Sequence, residues 1–162
     1  MSALLCQQCG ASVKGYICEY CGSLAQLSLD RTAEKEALNE LHNIIVAQTE
    51  PEMKVKLLRH SFLPDVPDVL IEAGMRCLPV IDTSDTADAV VTAAAHRLQA
   101  IMAKLRLLGE DGQTAVALRE FEAVLTKFHE SDRRLNQSII IAGMVLLVLV
   151  VVGCIWVSQL LG

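Results

Sequence analysis

The unit C-x-x-C-G occurs twice near the start of the chain, as Cys6-Gln7-Gln8-Cys9-Gly10 and Cys18-Glu19-Tyr20-Cys21-Gly22. Two residues between cysteines let both sulfurs of a tight turn face one tetrahedral centre, and the glycine admits a positive φ while its amide approaches a sulfur. Paired, the units supply a closed set of four thiolates, Cys6, Cys9, Cys18 and Cys21. A segment this short cannot fold on its apolar area alone, and structural zinc contributes about 10–16 kcal/mol of apparent binding energy to such peptides. The gap from Gly10 to Ile17 is shorter than in the longer zinc patterns, and Lys14-Gly15-Tyr16 in its middle suits a hairpin turn. The expected object is a minimal zinc ribbon, a β-hairpin holding structural Zn2+ over residues 1–27.

Other uses of four cysteines fit less well. A thioredoxin-like dithiol needs one C-x-x-C at a helix start within a βαβ unit, and this segment has two outside any such unit. A catalytic zinc needs an open coordination position, which four thiolates do not leave. Nucleic-acid binding needs basic charge, yet Lys14 is the sole cation here, is opposed by Glu19, and would face a tetrathiolate zinc of formal charge −2. Tyr16, Ile17 and Tyr20, expected to be exposed, point instead to a protein partner.

These two C-x-x-C-G units resemble the short zinc-ribbon family found at the ends of many bacterial proteins, which often carry a transmembrane helix elsewhere. The resemblance covers Cys6 to Gly22 and includes all four cysteines. The segment from Lys56-Leu57-Leu58 through Phe62-Leu63-Pro64 to Leu70-Ile71-Glu72 is similar to one that follows zinc ribbons in bacterial proteins. The family implies a zinc-stabilised interaction module and assigns no activity.

At the other end, Ile139 to Val157 is uncharged, and as a helix it would span about 28 Å, close to a hydrocarbon core. It has no polar stripe, so it reads as a single C-terminal transmembrane helix preceded by a juxtamembrane segment, together residues 133–162. Arg133 and Arg134 before the run, with no Lys or Arg after it, place the N-terminal side in the cytoplasm. Met1 to Leu5 lacks a signal-peptide pattern. Trp156 suits an interface, while Gly143 and Gly153 make no G-x-x-x-G face. The expectation is a tail-anchored, single-pass protein, with the bacterial inner membrane as location and the lipid bilayer as partner through Ile139 to Val157. The 52% hydrophobic content and mean hydropathy of +0.41 are raised by this run. The net charge of −5 lies between Asp30 and Arg134 and argues against a polynucleotide partner.

The middle, residues 28–132, has helical periodicity. Ala37, Leu41, Ile44 and Ile45 share one face of a helix from about Asp30 to Gln48, with Glu34, Glu36 and Glu40 on other faces. Pro51 opens a second helix to about His60. Asp65 is the expected N-cap of a short third helix carrying Val69, Leu70 and Ala73, ended by Pro79. Ala87, Val91, Ala94, Leu98, Ile101, Leu105 and Leu108 form a heptad seam, and Leu118, Phe121, Leu125 and Phe128 form another after Gly109-Glu110-Asp111-Gly112. Two seams joined by a short turn predict an antiparallel helical hairpin, with dimerisation through one seam as the competing arrangement. The last helix of this region, carrying Phe121 to Phe128, either continues into the apolar run or breaks at Asn136 to Ser138.

Catalytic signatures are missing from the sequence. His42, His60, His96 and His129 are scattered, and Arg133 stands where His129-Glu130 would need a second histidine. No phosphate-binding glycine loop or nucleophile elbow occurs. Cys77 reads as a small buried residue and Cys154 as packing. Asp82, Asp85 and Asp88 lack the spacing of a calcium loop, and Ser84 or Asp85 is the expected cap of the following helix. The methionines are dispersed. These observations predict a mainly α protein that is not an enzyme: a membrane-tethered zinc-ribbon adaptor or scaffold recruiting a protein partner. An anchored regulator touching nucleic acid or the transcription machinery, and an oligomerising membrane-integrity effector, are the alternatives.

Overall fold

The computed structural model describes residues 4–24, 30–109 and 111–161, with the side chains at 4, 136, 139, 142 and 145–161 outside the described set. Strands β1 (Leu4–Leu5) and β2 (Ser12–Val13) pair antiparallel, with Leu4 opposite Val13 and Leu5 opposite Ser12. The first C-x-x-C-G unit is therefore itself the hairpin turn. An antiparallel bridge between Ile17 and Leu24 encloses the second unit in the same way. The expected turn at Lys14 to Tyr16 is instead the link between two small hairpins, because each cysteine knuckle already reverses the chain.

Among the described residues five α-helices follow. α1 (Arg31–Ala47) begins at Asp30, whose carboxylate accepts the Ala33 N–H at 2.8 Å. α2 (Pro51–His60) and α3 (Pro67–Cys77) each open on proline, whose missing N–H costs nothing in a first turn. The cap of α3 departs from expectation. Its N-cap residue is Val66, and the Glu34 carboxylate reaches over from α1 to accept the N–H groups of Asp65 (2.9 Å) and Val66 (3.0 Å). Glu34 is thus buried rather than solvent-facing. A 3-10 turn over Leu78–Val80, with Pro79 inside it, closes α3.

α4 (Ala89–Leu108) is capped by Asp88, which accepts from Val90 and Val91, rather than by Ser84 or Asp85. Asp82 accepts from the Ser84 N–H and hydroxyl, a local turn that uses its carboxylate within the loop. Asp111 caps α5 (Gly112–Leu161) by accepting the Thr114 N–H at 2.7 Å. α4 and α5 run antiparallel, since Gln99 meets His129 while Arg106 meets Glu122. α4 is the central helix and contacts α2, α3 and α5. Its Ala94, Leu98, Ile101 and Leu105 are buried with Leu118, Phe121, Leu125 and Phe128 of α5 in one apolar core. Of the expected seam, Ala87 precedes α4 and Leu108 is exposed at its end.

The expected membrane anchor is overturned. Among the described residues no helix is long and apolar enough to cross a membrane. The apolar run belongs to a helix that is continuous from Gly112 to Leu161, with no break at Asn136 to Ser138. In its described part that helix carries Arg119, Glu120, Glu122, Lys127, Glu130, Arg133 and Arg134, groups that hydrocarbon cannot solvate. Most of the side chains between Ile139 and Val157, Trp156 among them, lie outside the described residues. The transmembrane helix, the bilayer as partner, the tail-anchored topology and the single-pass location are accordingly withdrawn.

Candidate metal centre

The two C-x-x-C-G units have matching backbones. Gly10 N–H donates to the Cys6 carbonyl and Gly22 N–H to the Cys18 carbonyl, both at 2.8 Å. Cys6 N–H donates to the Ala11 carbonyl (2.8 Å), and Cys18 N–H to that of Ser23 (2.9 Å). Each knuckle closes on a glycine with positive φ, +74° at Gly10 and +73° at Gly22, a region side chains enter at a cost.

These turns bring the sulfurs together. The Sγ atoms of Cys6, Cys9, Cys18 and Cys21 all lie within 4.8 Å of one another, with Cys6–Cys21 and Cys9–Cys18 at 3.6 Å. Sulfurs placed about 2.3 Å from a central ion at tetrahedral corners stand about 3.8 Å apart, so the cluster has the dimensions of a four-sulfur metal site. Cys6 and Cys18 are buried while Cys9 is exposed, which puts one edge of the site at the surface. As thiols the group divides its protons unevenly. At Cys21 burial raises the pKa, but the Ser23 hydroxyl and backbone and the neighbouring thiols outweigh it and bring it to about 6. At Cys9 the Ala11 backbone lowers the pKa, and desolvation with the other three sulfurs drives it up to about 12. A bound cation would remove this competition by favouring thiolate at every position.

The ribbon is seated on α1. Glu40 accepts the backbone N–H of Tyr16 at 2.9 Å and of Ile17 at 3.3 Å. Gly15 permits that approach, since a Cβ there would collide with the Glu40 carboxylate. Ile17 packs with Ala37 and Leu41, and the Phe62 N–H donates to the Gly22 carbonyl at 3.2 Å. The expectation that Tyr16, Ile17 and Tyr20 are all exposed therefore holds only for Tyr20. Ile17 is 1% exposed, and Tyr16 is half-buried with its hydroxyl held by Glu36, whose charge raises the tyrosine pKa. Tyr20 is 56% exposed, with the Lys56 ammonium 4.1 Å from its ring centroid.

Sequence reading missed Glu40 as the residue that holds the ribbon. The available signal was a carboxylate beside the Ala37-Leu41-Ile44 stripe, together with a glycine at position 15. The four histidines are exposed and are not brought together. Cys77 is buried, donates to the Ala73 carbonyl, and has its pKa pushed up to about 11 by burial, which is the environment of an inert thiol. Cys154 lies outside the described side chains.

No family model, curated protein or solved structure matches this chain.

Proposed function

We propose that the protein is a non-enzymatic adaptor, in which a zinc-binding ribbon of the short bacterial type is fixed to a helical body and presents its outer face to a protein partner. The observation that carries this reading is the closed four-sulfur cluster of Cys6, Cys9, Cys18 and Cys21. Zinc suits it because four thiolates at tetrahedral spacing match the ion's preference, and because such a set leaves no position for a reacting water. The metal's role is then structural: it holds two glycine-closed knuckles in register.

The ribbon's outer face is the recruiting surface in this account. The ribbon exposes Leu5, Gln7, Gln8, Glu19 and Tyr20. Aromatic anchors on a rigid module concentrate binding energy. Tyr16 is excluded from this role by its ties to α1. Within the ribbon segment Lys14 is the single basic residue, which argues against nucleic acid as the partner.

The test is cross-linking and recovery of partners from cells expressing the full chain or Tyr20→Ala, with zinc content and circular dichroism measured on both. The adaptor reading expects a protein recovered with the parent chain and lost with Tyr20→Ala, while zinc and helicity stay unchanged. Equal recovery with both, or recovery of nucleic acid in place of protein, contradicts it.

A further inference from the structure

A cavity of about 150 Å3 lies among α1, α2, α3 and α4, away from the cysteine cluster. Leu38, Leu41, Ile45, Leu58, Ala73 and Val90 form its apolar wall. A space of this size accommodates a benzene-sized or six-carbon body. The charged side chains that line it are Lys54, Arg76 and Arg97, with His42 beside them, and no aspartate or glutamate lines it.

These cations differ in how they are occupied. Arg76 is engaged by Glu72 and Asn39. Arg97 is 6% exposed and donates to the Leu58, Ser61 and Phe62 carbonyls and the Ser61 hydroxyl, without a carboxylate partner among the described residues. Lys54 is half-buried, and its ammonium has neither an ion pair nor a hydrogen bond among them. Lys54, Val80 and Val90 also line a shallower groove with Thr49, Pro51 and Asp88, so the lysine stands where the cavity opens outward. The Asp88 carboxylate in that groove is committed to the first amides of α4.

We propose that this cavity binds a small amphipathic anion, a medium-chain or aromatic carboxylate, with its apolar body among Leu38, Leu58, Ala73 and Val90 and its carboxylate on Lys54. Arg97 adds positive potential from the inner wall, where low dielectric strengthens it. His42, whose pKa is lowered by partial desolvation against the cavity wall and by Arg76, offers a neutral hydrogen-bonding group there. A neutral ligand of equal chain length loses the interaction with Lys54, and a cationic one is repelled.

Calorimetric titration of the full chain with octanoate, octan-1-ol and octylammonium tests this. The expected result is saturable binding of one octanoate per chain, at least about tenfold weaker binding of octan-1-ol, and none of octylammonium. Lys54→Gln should weaken octanoate about tenfold and leave octan-1-ol unchanged. Ala73→Leu, which fills the cavity, should abolish both, and should it unfold the chain the Lys54→Gln comparison decides alone. Absence of saturable octanoate binding, or equal affinity for octanoate and octan-1-ol, overturns the proposal.

Discussion

Glu40 Oε2 accepts the Tyr16 backbone N–H at 2.9 Å, so a carboxylate on α1 fixes the cysteine ribbon to the helical body across twenty-four residues of sequence. A charge-assisted hydrogen bond to a backbone amide contributes about 1.5–3 kcal/mol, and Glu40 makes two. Glu40→Ala is expected to cost about 1–3 kcal/mol in urea unfolding after allowance for water reaching the site. It should also speed tryptic cleavage after exposed Lys14, with metal content and helicity unchanged. Cleavage at the parent rate would show that the ribbon is held by other contacts.

Gly10 and Gly22 share a backbone conformation and differ in surroundings. A Cβ at Gly10 would meet nothing within 4 Å, whereas one at Gly22 would stand 2.6 Å from Ser61 Cβ. Gly10→Ala should therefore cost only the left-handed strain of about 1–2 kcal/mol. Gly22→Ala should cost more, because it also displaces the α2–α3 connection. Chemical denaturation of the two variants side by side checks the order, and equal losses would contradict the seating of the second knuckle on Ser61.

Arg97 closes α2 from α4. Its guanidinium meets three carbonyls around the end of that helix, where a cation also opposes the helix dipole. Arg97→Met keeps the volume but leaves buried acceptors unsatisfied, and a loss of about 2–4 kcal/mol is expected in thermal or urea unfolding. A loss below about 0.5 kcal/mol would mean that water serves those carbonyls equally well.

Gly74 and Phe121 fit as a pair. Phe121 is fully buried, and a Cβ on Gly74 would lie 2.5 Å from its Cζ. Phe121→Ala should cost about 3–5 kcal/mol and Gly74→Ala about 1–3 kcal/mol. Combined with Gly74→Ala, Phe121→Leu should restore part of what Gly74→Ala alone loses, since the smaller side chain frees the space that Cβ needs. Strictly additive losses would argue that the two residues are not in contact.

Periodicity made part of this architecture legible. Leu98, Ile101 and Leu105 recur at seam spacing and are buried, because a repeated apolar stripe leaves a helix one face to hide. The convergence of the four cysteines was legible for a similar reason, since two C-x-x-C turns each bring a pair of sulfurs to one side of the chain. Glu34, Glu40 and Arg97 were not, because each acts on backbone amides or carbonyls of a distant segment and sequence spacing carries no trace of that. Ile17 is buried rather than exposed because the ribbon does not stand alone: its apolar side chain completes the α1 stripe with Ala37 and Leu41. The membrane anchor was expected from the hydropathy of Ile139 to Val157, whereas among the described residues no helix is long and apolar enough to cross a membrane.

We propose that Cys6, Cys9, Cys18 and Cys21, which cluster in the structure, form one closed zinc site. Metal analysis of the full chain purified under reducing conditions, joined to X-ray absorption at the zinc edge, tests it most directly. One zinc per chain with four sulfur neighbours at about 2.3 Å, lost in Cys18→Ser, is the expected result. A metal-free chain with Cys6–Cys21 or Cys9–Cys18 disulfides, or a bound metal with oxygen in its coordination sphere, would contradict it.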